Sequence, residues 1–171
     1  MNLLSAMHIL LKKLLILLEE ETRLYSLLLH LLKQEKKAVV NSNINELNRV
    51  TEEKETLLPE IRIFEEDRIR IQAKFSEKLG YSEQDRTLTQ LSQMVEEPFS
   101  TRLKALCSNL LSLTQSIREI NISNKALLVH SLELTRSSLT ILNNSIFPNT
   151  YYRNGKMQKG FQNGKLVSSS I

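Results

Sequence analysis

The sequence predicts an all-α protein: an elongated antiparallel bundle of three long, coiled-coil-like helices with a flexible C-terminal tail. Two observations predict it. Apolar residues recur at alternating three- and four-residue steps along most of the chain, the spacing that lines one side of a helix. Only four glycines and three prolines interrupt 171 residues, too few for the frequent tight turns of a β-sandwich or barrel. With 41% hydrophobic residues, the chain is not disordered throughout.

The first helix follows from counting. From Leu4 the 3-4 positions are Met7, Leu11, Leu14, Leu18, Glu21, Tyr25, Leu28, Leu32, Glu35 and Val39. Only Glu21 and Glu35 break the apolar stripe. Leu10, Leu15, Leu17, Leu24 and Leu31 widen it, which suits a helix touching two neighbours. The helix ends near Val40, where Asn41–Ser42–Asn43 offers turn and N-cap chemistry. A second helix starts near Ile44, with Leu47, Val50, Lys54, Leu57, Ile61, Phe64, Arg68, Ile71, Phe75 and Lys78 in phase. Pro59 sits inside it and predicts a kink or short break. The apolar phase crosses the proline, which favours the kink. Gly80 is a candidate terminator. Leu88, Leu91 and Val95 suggest a short helix stopped by Pro98. The last long helix runs from about Phe99 to Asn144 on Leu103, Leu106, Leu110, Leu113, Ile117, Ile120, Asn124, Leu127, Ser131, Leu134, Ser138 and Ile141. Residues 1–144 thus read as a helical bundle domain. Residues 145–171 hold three of the four glycines and no helical period, and read as a mobile, basic, aromatic-containing tail.

Charge divides along the same line. The net charge is +4. Residues 1–144 balance to zero, while the tail carries Arg153, Lys156, Lys159 and Lys165 without an acid. A nucleic-acid binder would carry a basic face on its body, and this body has none. No early positive charge precedes the N-terminal leucines, and Lys12–Lys13 and Glu19–Glu21 interrupt them, unlike a signal peptide. No run of about 20 apolar residues exists to span a membrane. A cytoplasmic protein without membrane insertion is expected, and the lone Cys107 fits a reducing compartment.

Chemistry finds little purchase. His8, His30 and His130 lack metal-ligand spacing, and the acidic clusters alternate with bases as a solvated helix face does. Cys107 sits beside Leu106 as a core thiol would. No enzyme, small-molecule substrate, cofactor or metal is expected. The last helix is more informative. Asn124, Ser131 and Ser138 recur every seven residues inside the apolar stripe. They either fix register or line a groove awaiting a partner's helix. Leu128, Leu132, Leu139 and Leu142 lie on other sides of the helix, so it needs more than one neighbour. In the tail, Tyr151 and Tyr152 can anchor a partner's pocket, pack back on the bundle, or stack on RNA.

Several segments resemble the flagellar type III export chaperones of the FlgN type. The second helix has Lys54-Glu55-x-Leu57-Leu58 followed by Ile61, Glu66 and Arg68. The last helix reads Asn121-x-x-Asn124-x-x-Leu127-Leu128-x-x-Ser131-Leu132. The tail carries Thr150-Tyr151-x-x-x-Gly155, and Glu20 precedes Tyr25 in the leucine-rich first helix. The resemblance covers roughly residues 3 to 155, with Pro59 and the residues after Gly155 outside the pattern. It implies a chaperone that binds C-terminal helical segments of hook–filament junction (hook-associated) proteins. Such a chaperone prevents their premature assembly and escorts them to the cytoplasmic domain of the export gate. It implies a client site on the second half of the last helix, at Asn124, Leu127, Leu128, Ser131, Leu134 and Ser138. Gate docking falls to Tyr151, with Tyr152 beside it. The alternatives are a self-assembling coiled-coil scaffold or a nucleic-acid adaptor using the tail.

Overall fold

A computed structural model describes residues 3–78 and 87–146, and within them the side chains of residues 6–78 and 87–143. The described residues form four helices and no strand: α1 (Leu3–Val40), α2 (Ile44–Lys78), α3 (Leu88–Met94) and α4 (Phe99–Ile146). The count is thus four rather than three. The fourth, α3, is the short helix expected on Leu88, Leu91 and Val95 and has seven residues. It is set by a capping box, in which the Thr87 side chain accepts from the Gln90 amide and the Gln90 side chain accepts from the Thr87 amide. Val95 ends it in an extended conformation, three residues before Pro98. The tail beyond Ile146, Tyr151 and Tyr152 included, lies outside the described residues, as does Gly80.

The chain divides into two compact units, Met1–Leu127 and Leu128–Ile171. In the first unit α1 is central. Its leucines enter two apolar clusters. One joins Leu11, Leu14, Leu15 and Leu18 to Phe75 of α2, Leu91 of α3, and Leu103 and Leu110 of α4. The other joins Leu24, Leu28, Leu31 and Leu32 to Val50, Leu57 and Ile61 of α2, with Ile117 and Ile120 of α4 against it. Cross-links set the directions. Glu21 meets Arg68 and Glu35 meets Lys54, so α1 and α2 run antiparallel. Glu19 meets Arg102 and Lys36 meets Ser123, so α4 runs parallel to α1.

The α1–α2 turn is built locally. Asn43 N–H donates to the Ala38 carbonyl (2.9 Å) and Ser42 N–H to the Val39 carbonyl (3.1 Å). This is the Schellman arrangement, whose left-handed position usually falls to glycine. Here Ser42 occupies it with φ 52°. Asn43 then caps α2, its Oδ1 accepting from the Glu46 amide at 3.1 Å. Pro59 does not break α2, which is helical from Ile44 to Lys78. Both Pro59 and Glu55, whose carbonyl loses its intrahelical donor, are exposed, so water can satisfy that carbonyl.

Candidate functional site

The polar residues inside the apolar stripes are largely held within the bundle. Glu21 and Glu35 are the two interruptions of the α1 stripe. Lys54 and Arg68 interrupt the α2 stripe. Each pair is two heptads apart, so an antiparallel pairing can match both at once. The Arg68 Nε donates to both Glu21 oxygens at 2.8 and 2.9 Å, and its Nη1 to Gln72 at 3.2 Å. The Lys54 ammonium pairs with Glu35. Next to the first pair, the Tyr25 hydroxyl donates to Glu65. Burial raises the Glu21 pKa above the usual carboxylate value, and Arg68 only partly opposes it. Burial also raises the Tyr25 pKa, with the Glu65 hydrogen bond adding to it.

Asn124 belongs to this network. It is 1% exposed. Its amide donates to the Leu32 carbonyl and to Glu35 Oε2, each at 2.8 Å. The Glu35 carboxylate therefore bridges Lys54 of α2 and Asn124 of α4, and one buried anion ties three helices together. Removing one partner of such a network strands the others in the interior. Lys54, Arg68 and Asn124 are all residues that carry the family resemblance, and all three act inside the bundle. Of the two readings open for Asn124, its geometry is that of a register-fixing residue.

The other candidates sit differently. Leu127 and Leu128 are half-buried, and every residue from Val129 to Asn143 is exposed. Leu132, Leu134, Leu139 and Leu142 are 57%, 56%, 60% and 55% exposed. Isolated exposed leucines are ordinary, but several on adjacent turns of one helix form a continuous apolar face. The hydroxyls within it are largely self-satisfied. Thr135 Oγ1 donates to the Ser131 carbonyl and Ser138 Oγ to the Leu134 carbonyl, both at 2.9 Å. Such i−4 bonds lower the cost of covering these residues with apolar surface. Covering Thr135 and Ser138 with apolar surface therefore strands neither hydroxyl proton. Leu132 and Leu139 belong to the face although the 3-4 stripe through Asn124 passes them by. A second stripe through Leu128 reaches them, and that was their signal in the sequence.

The described residues also carry the three histidines and Cys107. No group of three or more His, Cys, Asp or Glu among the described residues could hold a metal ion. His8 packs edge-on to Phe99 with centroids 4.9 Å apart, while His30 and His130 are exposed. Cys107 is half-buried, and burial raises its thiol pKa, the opposite of an activated nucleophile. It borders a cleft of about 450 Å³ with Glu21, Tyr25, Arg68 and Lys104, where the one carboxylate is already held by Arg68. No described helix is long and apolar enough to cross a membrane.

A family model described as FlgN protein matches residues 7–159 of the chain. Neither the curated proteins nor the solved structures returned a match.

Proposed function

The chain belongs to the FlgN protein family, and from that premise we propose that it is a cytoplasmic flagellar export chaperone, not an enzyme. Its clients are the hook–filament junction (hook-associated) proteins, bound through their C-terminal helical segments. The observation that supports this reading is the leucine face of α4 between Leu128 and Leu142, four of whose leucines are more than half exposed. A client helix whose apolar side would otherwise self-associate is masked by a complementary helix face. The exchange of apolar surface for apolar surface, with few charges involved, gives a contact that can be released at the export gate. Leu127, Leu128, Leu134 and the hydroxyls of Ser131 and Ser138 line the proposed contact. Asn124 serves it indirectly, by holding α4 against α1. Tyr151, with Tyr152, is proposed to dock on the cytoplasmic domain of the gate.

The test is binding of purified junction proteins from the same organism, followed by calorimetry. Wild-type chain should bind, and a chain truncated before Leu127 should not. Absence of binding to any junction protein, with monodisperse homo-oligomers in light scattering, would instead favour a self-assembling scaffold.

A further inference from the structure

We infer that the α4 face takes two helical segments of one client chain, side by side, rather than a single helix. This rests on the chaperone reading above. Two 3-4 stripes run next to each other along this part of α4. One passes through Leu127, Ser131, Leu134 and Ser138. The other passes through Leu128, Leu132, Leu139 and Leu142, with Thr135 in phase. Each stripe is the seam on which one helix packs. From the Leu134 column to the Leu132–Leu139 column the arc is about 150°, at 3.5 residues per turn.

The first unit calibrates what such widths do. On α1, buried residues run from the Leu24–Leu31 column round to Leu15, again an arc of about 150°, and α1 packs on both α2 and α4. On α4 itself the second stripe ends at residue 127 as an apolar feature. Stepping back by sevens from Leu139 and Leu132 gives Lys125, Arg118, Leu111 and Lys104. There α4 sets its first stripe on the apolar residues of α1 and α2, and three of the four flank positions are charged. After Leu128 the flank turns to leucine, while the charges Glu133 and Arg136 lie outside the arc. One partner helix seated on the first stripe would leave Leu132 and Leu139 in water. A second helix covers them. Two segments of one client chain have the advantage that the first, once bound, holds the second at high effective concentration. The occupant is therefore a pair of amphipathic helices with uncharged inner sides. Ser131, Thr135 and Ser138 in the middle of the face are small enough to let both approach closely.

The test places a photo-crosslinking side chain at Leu134 or at Leu139 of the full-length chain, with a purified junction protein as the probe. The expected result is a one-to-one complex in which the two positions label different client segments. Leu134→Glu and Leu139→Glu should each weaken binding by about tenfold or more, at unchanged helicity. Labelling of the same client segment from both positions overturns the inference while leaving the chaperone reading intact. Labelling of a second copy of this chain, or no binding at all, overturns both.

Discussion

The same helix behaves differently on either side of Leu127. Through that residue, α4 presents one apolar stripe, and Leu103, Leu110 and Asn124 of it are buried. Its flank in this stretch is Lys104, Leu111, Arg118 and Lys125, three of the four charged. After Leu128 the stripe widens, the flank becomes leucine, and residues 129–143 are exposed. What differs is whether the apolar surface has a partner among the described residues. A stripe matched by buried partners is a folding surface, and a wider stripe left exposed is a binding surface. The distinction predicts that substitutions of one chemical kind will have opposite readouts in the two stretches.

The largest effects test that directly. Leu18→Ala removes a wholly buried side chain and should cost about 2–5 kcal/mol of unfolding free energy. Leu139→Ala, at 60% exposure, should stay within about 0.5 kcal/mol. Urea denaturation followed by circular dichroism reads both. Client affinity should fall for Leu139→Ala and hold for any Leu18→Ala protein that remains folded. A stability loss at Leu139 as large as at Leu18 would break the comparison.

Removing a charge from the interior comes next. Arg68→Ala leaves the buried Glu21 carboxylate without its partner and should cost about 3 kcal/mol. Arg62→Ala, whose ion pair with Glu66 is mostly solvated, should change stability by less than about 0.5 kcal/mol. Glu21 also predicts a pH dependence. Its folded pKa lies above the unfolded value, so between the two the folded state holds the proton more tightly. The contribution of this group is fully present below the unfolded value of about 4.3 and is lost as pH rises through the folded value. Urea midpoints of wild type relative to Glu21→Gln should therefore decline across that window. A rise would mean that Arg68, not burial, dominates the site.

Much of this was legible in the sequence. The 3-4 count placed α1, α2 and α4 with ends within about two residues, because long leucine stripes leave little freedom of phase. The turn at Asn41–Ser42–Asn43 was legible from composition. The interruptions of the stripes were visible too, yet their meaning was not. Glu21, Glu35, Lys54 and Arg68 break periodicity one helix at a time, and only the antiparallel pairing of two helices turns four exceptions into two ion pairs. Asn124 shows the same limit from the other side. Its seven-residue relation to Ser131 and Ser138 grouped three residues that the fold separates, one buried against Glu35 and two exposed. A periodic pattern fixes which side of a helix a residue occupies. It does not fix whether another helix is present there, because that depends on the length of the neighbours.

The smallest predicted effect probes whether the two stretches are energetically independent. Lys36 meets Ser123, and α1 and α4 run parallel, so α1 ends at the level of Leu127. The turn that ends it places Ser42 at φ 52°, where a β-carbon crowds the backbone and glycine is relieved of that crowding. Ser42→Gly keeps the Asn43 and Ser42 backbone bonds and should raise stability by about 0.5–1 kcal/mol. This is the left-handed penalty less the extra entropy of a glycine in the unfolded chain. The backbone bonds of the turn run between residues 37 and 43. If the exposed face is a separate binding surface, calorimetry should find client affinity unchanged while the urea midpoint rises. An affinity that rose with the midpoint would mean that client binding draws on the stability of the turn. The boundary at Leu127 would then divide the contacts but not the energetics.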